Sequence, residues 1–267
     1  MTGDSDRAAP LDADAVAEDA VGWLAPGPLT DRVETLDAIL SHRPLPHPFF
    51  GVVTRVRATD GDAVDALIAR SRVWFAERGR TASTWMIGPS ATPADLADHL
   101  VAADAIEEST MTAMVLDHEP PPAPAGVEIR RVATAEEYRR SMEIVADAFG
   151  FDASSRAAFV GGAAEAWPFW QTEPGRGYLL AHVDGIPVAE AGLAATIPGP
   201  VVLSGGATLP AWQGRGAYRA LVRWRWDEAV RRGTPVLVVQ ASDDSRPILE
   251  RLGFRSAGLI PTFRDRF

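Results

Sequence analysis

The 267-residue sequence predicts an α/β chain with a mixed α+β sheet, arranged as two halves of like order. Three observations lead there. Strand-like and amphipathic helical segments alternate as strand–helix–strand–helix twice along the chain. The run "PVLVVQAS" (235–242) is almost continuously apolar, as a strand buried on both faces is. Between the halves lies "DHEPPPAPAG", Asp117 to Gly126, whose prolines favour an extended, semi-rigid connector. The resulting division is 1–119, a linker at 120–126, and 127–267.

In the first half, "FFGVVTRVRA" (49–58) reads as a strand and "GDAVDALIARSRVWFAERG" (61–79) as an amphipathic helix. "STWMIGPS" (83–90) reads as a strand. "TPADLADHLVAADA" (92–105) reads as a helix with Thr92 as N-cap and Pro93 in its first turn. In the second half, "VEIRRV" (127–132) is a short strand. "TAEEYRRSMEIVADAF" is a helix with a capping box, Thr134 with Glu137. "GYLLAHVDGIPVAEAGLAAT" is a hairpin turning at Asp184-Gly185. "VVLSGGATL" is a strand whose Gly205 and Gly206 suggest a bulge or, equally, a packing site. A helix from Tyr218 to Arg232 stops at Gly233, and "SRPILERLGF" is a last helix ending at Gly253. On the helix after Tyr218, Trp226 joins an apolar stripe with Val222, Ala229 and Val230. Trp224, two residues away, cannot share that face and is expected against the other half or a second subunit. The two halves barely match in sequence, so the pattern suggests a degenerate duplication.

Composition narrows the function. The hydrophobic fraction of 46% and charged fraction of 23% suit a globular domain. No apolar run nears the roughly 18 residues of a membrane span. The opening "MTGDSDRAAPLDADAVAEDA" is acidic, unlike a signal peptide, and a cytoplasmic location is expected. The net charge of -10 argues against nucleic-acid binding, which needs cations to neutralise phosphates. With 0 cysteines, thiolate metal sites and cysteinyl acyl-enzymes are excluded. The chain holds no lysine, so Schiff-base chemistry on lysine is excluded too.

The stretch "PAWQGRGAYRAL", Pro210 to Leu221, joins a strand to a helix. The first N–H groups of a helix lack intrahelical partners and carry the positive end of its dipole. Glycines there let a ligand approach the backbone, so the turn is suited to phosphate. The bland alternative is a plain loop and helix cap. A Gly-Lys-Ser/Thr phosphate loop is absent, and the glycines do not fall in G-x-G-x-x-G register, which removes kinase-like and dinucleotide-fold readings.

"QGRGAY" resembles the Q/R-x-x-G-x-G/A signature of the Gcn5-related N-acetyltransferases (GNAT). The match lies at Gln213, Gly216 and the position of Tyr218, where tyrosine replaces Gly/Ala. "GGATLPAWQGRG" is similar to the family's fourth strand and its turn, and "VLVVQASDDSRPILERLGF" to its fifth strand and fourth helix. The resemblance covers about residues 127–267, and residues 44–117 resemble the C-terminal part of a second such domain without the signature. It implies a tandem of one degenerate and one complete domain of this fold. It also implies acetyl-CoA as cosubstrate and no metal. Ala207, Thr208 and Leu209 would pair with pantetheine. Gln213, Gly214, Arg215, Gly216, Ala217 and Tyr218 would hold the pyrophosphate. Ser242, where the family often has asparagine, and Ser245 would bind the pantetheine or a water.

The implied reaction is attack of a small-molecule primary amine on a thioester within a ternary complex. The position of the family's tyrosine acid is Leu249, which cannot donate a proton. Among bases, Glu190 in "PVAEAGL" would be desolvated by small apolar neighbours, raising its pKa toward neutrality. The alternatives are a solvent-facing Glu190, or His182, Asp243 or Asp244 as base, with Ser204 ordering a water. "EAWPFWQTEPG" (165–175) offers Trp167, Phe169 and Trp170 as a pocket wall or as core beneath a loop. The expected partners are a small amine, no nucleic acid and no membrane, in a monomer or homodimer. A second reading, favoured by Leu249, is a catalytically weak acyl-CoA-binding pseudoenzyme serving as sensor or scaffold.

Overall fold

A computed structural model describes residues 11–267 apart from 25, 28, 45–49, 174 and 197–198. In the first half, α1 (Ala13–Glu18) and α2 (Ala20–Trp23) precede strands β1 (Asp31–Glu34), β2 (Ile39–His42) and β3 (Gly51–Thr54). Then come α3 (Gly61–Ala76), β4 (Ala82–Met86), α4 (Leu96–Ala102) and β5 (Ile106–Leu116). The second half starts with β6 (Val127–Arg131), α5 (Ala135–Ala148), α6 (Ala153–Gly161) and α7 (Ala163–Trp170). It continues with β7 (Arg176–Val183), β8 (Ile186–Ala195), β9 (Val201–Thr208), α8 (Ala217–Arg231), β10 (Leu237–Ala241), α9 (Arg246–Arg251) and β11 (Arg255–Arg266).

All of these strands join one sheet, in the order β1-β2-β3-β4-β11-β5-β10-β9-β8-β7-β6. The halves repeat. β3 runs parallel to β4 across α3, and β9 runs parallel to β10 across α8. In each half a final strand follows one more helix, but it is exchanged: β11 pairs antiparallel with β4, and β5 with β10. The two exchanged strands then pair with each other from Arg255↔Val115 to Arg264↔Ile106. A pseudo-twofold axis therefore passes through the β5–β11 pair, normal to the sheet.

Side-chain alternation sorts the core into layers. Met114, Leu116, Leu179, Leu203, Leu237 and Val239 face α8 and α9. Val53 and Trp85 face α3 and α4 on the same side. Ala113, Val115, Val202, Val238 and Ile260 turn the other way, onto α1 and α2. Farther along that second face, Tyr138 and Met142 of α5, with Ala163 and Trp170 of α7, cover Leu180 and Ala207. Burying one such large side chain contributes roughly 1.5–3 kcal/mol.

Local signals act as expected at several ends. Thr134 and Glu137 form both bonds of the capping box on α5. Asp184 (φ 51°) and Gly185 (φ 79°) turn the β7–β8 hairpin. Thr92 does not cap α4. Its N–H donates to Val56 O at 3.2 Å and its hydroxyl to Ala58 O at 3.0 Å, so Asp95 precedes the helix instead. Trp167, Phe169 and Trp170, read as a pocket wall or as core beneath a loop, lie on the helix α7, with Pro168 inside it. On α8, Arg225 and not Val230 completes the inner face; Val230 is 51% exposed, and Trp224 packs on the margin of the same cluster as Trp226.

The connector runs from β5 to the far edge of the sheet and straps α8 on its way. Arg223 pairs with Glu119 and donates to Pro120 O at 3.3 Å, and Pro124 packs on Gly216. Across the axis, the buried carboxylate of Asp265 on β11 accepts from Arg72 Nε and Nη2 of α3, at 3.1 and 2.7 Å. Asp265→Ala should cost about 1.5–3 kcal/mol, because a charged donor loses its acceptor. Because the sheet is continuous, urea unfolding followed by tryptophan fluorescence should remain a single transition; two separated transitions would refute the coupling of the halves.

Candidate functional site

Residues flanking β9 assemble the site. β9 and β10 stay in parallel register only at Leu237↔Val201 and Val238↔Val202. Beyond them the strands splay. On its other side β9 slips against β8 between Glu190↔Ala207 and Gly192↔Ser204, so Gly205 and Gly206 form the bulge. The bulge reverses the alternation of β9. Leu203 faces α8, but Ala207 faces α5. Gly206 holds φ +124°, and a Cβ there would lie 3.0 Å from the Tyr218 ring, so no other residue type fits without displacing it.

At the end of β9 one 3-10 turn, Pro210–Trp212, leads into the glycine loop. Gln213 Nε2 donates to Thr208 O at 3.4 Å. Leu209 N–H is used by Val188 O at 3.0 Å, so strand alternation turns Ala207 toward β8 and Thr208 toward the splay. Gly216, at φ +84°, is the N-cap of α8, and no side chain caps that end. Ala220 N–H takes Gly216 O, leaving the N–H groups of Ala217, Tyr218 and Arg219 without intrahelical partners. Arg215 lies over the Trp212 ring at 4.7 Å, and Arg219 is exposed one turn into the helix. The matching helix of the other half is built oppositely. Asp60 caps α3 through Ala63 N–H at 2.9 Å, and Asp62 adds a second carboxylate. Negative charge at a helix start repels an anion.

Glu190 faces α5, between Leu180 and Ala207 on the neighbouring strands, and is only 1% exposed. Gly206 N–H donates to its Oε1 at 3.3 Å. Burial pushes its carboxyl up to about 8, against the opposing pull of that N–H and of Arg225. Arg225 approaches from the α8 face, fully buried, with Nε on Leu221 O at 3.0 Å and Nη1 on Gly192 O at 3.1 Å. Burial also raises the Tyr218 phenol, which the Arg225 guanidinium beside it counteracts.

Above Glu190 stands an aromatic wall. Tyr138 and Tyr178 meet edge-to-face at 4.8 Å, Trp170 sits 5.7 Å from Tyr178, and Trp167 5.8 Å from Tyr138. Phe169 lies against Trp170 at 4.9 Å. Burial raises both phenols, and the Glu190 carboxylate adds to the effect. The first half reaches this wall. Gly27 packs on Trp170, Phe50 stacks on Phe159 at 6.4 Å, and Arg43 is close enough to lower both phenols.

The structure brings Glu190, Thr208, the 213–218 loop and Tyr218 to one region, with Trp167, Phe169 and Trp170 in the wall. Ser242 and Ser245 lie at the end of β10, their hydroxyls 3.2 Å apart, and Asp243 and Asp244 are exposed beside them. Leu249 is 0% exposed in the core beneath α9. His182 lies toward the hairpin turn, opposite Glu128. Ser204 lies opposite Gly192, across the bulge from Glu190. Tyr138, Tyr178, Arg225 and Arg43 had no sequence motif to mark them, and the apolar stripe read on the helix after Tyr218 left Arg225 out. Among the described residues no cluster of metal-ligating side chains occurs, and no helix is long and apolar enough to cross a membrane.

No protein-family model matches the chain, and no curated protein does. Solved structures do. A GCN5-related N-acetyltransferase from Kribbella flavida aligns over 97% of this chain and 96% of its own, with a TM-score of 0.71 and 22% identity. A tandem GNAT protein from the clavulanic acid biosynthesis pathway aligns over 98% and 89%, with a TM-score of 0.61 and 18% identity. A GCN5-related N-acetyltransferase from Sphaerobacter thermophilus aligns over 86% and 80%, at 0.61 and 19%. The chain shares the fold of these proteins, and over 98% of its length that of the tandem GNAT protein.

Glu190 gives the site a signature in stability. Between pH 4.5 and about 8 the folded protein holds a proton that the unfolded chain has released, so its stability falls as pH rises. Glu190→Gln lacks that proton exchange. Its stability relative to wild type should therefore improve from pH 5 to 8, by up to about 1.4 kcal/mol per pH unit, in urea unfolding. Parallel pH curves for the two proteins would show that Glu190 ionises normally.

Proposed function

We propose that the chain is an acyl-CoA-dependent N-acyltransferase, moving the acetyl group of acetyl-CoA to a primary amine of a small molecule in a ternary complex. The observation that carries this reading is one juxtaposition. A buried carboxylate of raised pKa lies beside a strand bulge, at the mouth of two splayed strands, next to an uncapped helix start. The fold shared with the N-acetyltransferases supports it.

The uncapped N–H groups of α8, with Arg215 and Arg219, offer a site for the pyrophosphate. The splay exposes Thr208 to an extended chain, which a sheet edge recognises through its main chain. The amine arrives as an ammonium ion. A carboxylate titrating near 8 is matched to take its proton, directly or through a water. The freed amine adds to the thioester carbonyl, whose developing negative charge falls to backbone N–H groups along the splay. Collapse breaks the C–S bond and expels the thiolate, and the proton that the nitrogen then sheds passes to that thiolate or to solvent, leaving an amide and free CoA thiol. A thiol with a pKa of roughly 8.5 can depart as the thiolate near neutrality, so an apolar residue at Leu249 does not forbid turnover. Cytoplasmic location and a monomer or homodimer complete the proposal.

The binding test uses Gly214. Its φ of +75° suits Asp better than most residues, and a Cβ there meets open space. Gly216 is a poorer choice, since a Cβ there would lie 2.6 Å from Pro124 Cγ and push the strap. Calorimetric titration of acetyl-CoA should give at least about tenfold weaker binding to Gly214→Asp than to wild type, with Tm little changed. Equal affinity would remove the loop from the cofactor site.

The chemical test is the pH profile of thiol release with a panel of amines. In the wild type kcat/KM should rise through an apparent pKa near 8, and Glu190→Gln should lower it by about a hundredfold or more with acetyl-CoA affinity retained. An unchanged profile in the variant would rule out Glu190 as base. Tight acetyl-CoA binding without turnover of any amine would favour the sensor reading.

A further inference from the structure

The acetyl-transfer scheme gives no part to a charge buried behind Glu190. Arg225 of α8 is 0% exposed. Its Nε donates to Leu221 O at 3.0 Å and its Nη1 to Gly192 O at 3.1 Å. Both acceptors are carbonyls, and among the described residues no carboxylate forms a direct ion pair with it. A guanidinium taken out of water without a counter-charge is costly, and an apolar side chain of the same length would fill this place in the core at less cost.

Its bonds lead to the site. Gly192 is two residues from Glu190 on β8 and stands opposite Ser204, at the edge of the bulge. A Cβ at Gly192 would collide with Ser204 Oγ, so the backbone is bare there. Gly205 is bare as well: the place its Cβ would take lies 3.0 Å from Glu190 Oε1 and 3.8 Å from Gly192 N. The Glu190 carboxylate and the Gly192 backbone thus meet across a glycine. Short contacts link the guanidinium on the α8 face to the carboxylate on the α5 face through one peptide. On the carboxylate's own side the neighbours bring no charge. Gly206 N–H of β9 donates to it at 3.3 Å, and Tyr138 of α5 and Tyr178 of β7 are phenols that burial keeps neutral. Across so thin and dry a sheet a unit charge acts with little screening.

We propose that Arg225 is a positioning residue for the transfer reaction: from the opposite face of the sheet it holds Gly192 against the bulge that aims Gly206 N–H at Glu190, and its charge keeps the Glu190 carboxyl able to ionise at neutral pH. The inference rests on Glu190 as the base and names the group that sets its working range. Enclosure disfavours the carboxylate, and the guanidinium favours it. Because the guanidinium is bonded to carbonyls, it offsets part of the burial without capturing the carboxylate as an ion pair. A captured carboxylate would be too weak a base for an ammonium proton.

The test separates charge from shape at one position. Arg225→Lys keeps the charge, Arg225→Gln keeps a donor without the charge, and Arg225→Met keeps only the length. Each is made in the full-length protein with and without Glu190→Gln, and the stability difference within each pair is followed from pH 5 to 10 by urea unfolding. The proton that buried Glu190 retains contributes stability that is full below its unfolded pKa and is lost as pH rises to its folded pKa, so the difference levels off there. In the wild-type pair it should level off near pH 8. In the Arg225→Gln and Arg225→Met pairs it should do so about one pH unit higher, and in the Arg225→Lys pair near the wild-type point. Thiol release from acetyl-CoA should follow. At pH 7 Arg225→Gln and Arg225→Met should lose about tenfold in kcat/KM, regain most of it above about pH 9, and Arg225→Lys should lose less.

Pairs that all level off at the same pH would overturn the proposal. So would a loss of kcat/KM that is as large at high pH as at pH 7, which is the mark of a merely structural role. If Arg225→Met does not fold, the Arg225→Gln and Arg225→Lys pairs decide the matter alone. If the levelling-off moves as expected while the pH profile of thiol release does not, the coupling across the sheet stands and Glu190 falls as the base.

Discussion

The antiparallel pairing of β5 with β11 is the constraint on which the rest of the structure depends. Neither strand lies beside the strands of its own half. β4 is completed only by the C-terminal strand, and β10 only by the strand that precedes the connector. Each half alone would present β4 or β10 as an open edge along a row of unpaired backbone groups, which is costly to bury and prone to association. The exchange closes both edges at once and makes the sheet a single body. It also sets the course of the connector. Since β5 ends at the centre and β6 lies at the far edge, the chain between them must cross α8. There Glu119, Pro120 and Pro124 hold the helix whose free N-terminus faces the splay.

Within that frame, the active-site candidate arises from a conflict between burial and charge. Glu190 is enclosed by Leu180, Ala207 and two tyrosines, and desolvation outweighs the N–H of Gly206 and the more distant Arg225. The outcome depends on glycines. Gly192, Gly205 and Gly206 thin the sheet, so Arg225 and Tyr218 on one face and Glu190 on the other approach one another across it. Arg225 spends two of its donors on the carbonyls of Leu221 and Gly192 and so does not form a direct pair with Glu190. A direct ion pair would lower the carboxyl instead and remove its match to an amine.

The residues that were legible in sequence are those whose role is local. A G-x-G after a strand, a Thr–Glu capping box and an Asp-Gly turn each act within a few positions, so the loop at Gln213, the start of α5 and the β7–β8 hairpin could be read directly. The two glycines at 205 and 206 left a bulge and a packing site equally open, and the structure shows the bulge. What escaped was set by distant partners. β5 carries Glu107, Glu108, Ser109 and Thr110 in succession and β11 carries Gly258 and Pro261, so neither shows a clean two-residue alternation; both are strands because they lie against each other. Thr92 has the chemistry of a helix cap, but its hydroxyl is already committed to Ala58. Arg225 looks like a surface residue on a polar helix and is in fact core. Arg43 sits more than a hundred residues from Glu190 in sequence, and only the joining of the two halves brings them to the same tyrosines.

The duplication itself accounts for this division of labour. Two helix starts occupy equivalent places, those of α3 and α8, but only one is left open. At α3 the side chain of Asp60 takes the N–H of Ala63 and Asp62 adds to its charge, so this helix start is closed to an anion. Relieved of that task, its other elements are free to serve the second half. Phe50 stacks on Phe159 beside the aromatic wall, and α1 packs under the exchanged strands. A lone domain of this fold would leave Trp170 and Phe159 facing solvent where Gly27 and Phe50 now cover them. The second half supplies the reactive geometry. The first half covers part of the wall above Glu190, with Gly27 on Trp170 and Phe50 on Phe159. The half whose helix start is capped by Asp60 thus braces the half whose helix start is open, and the continuity of the sheet holds the two in register.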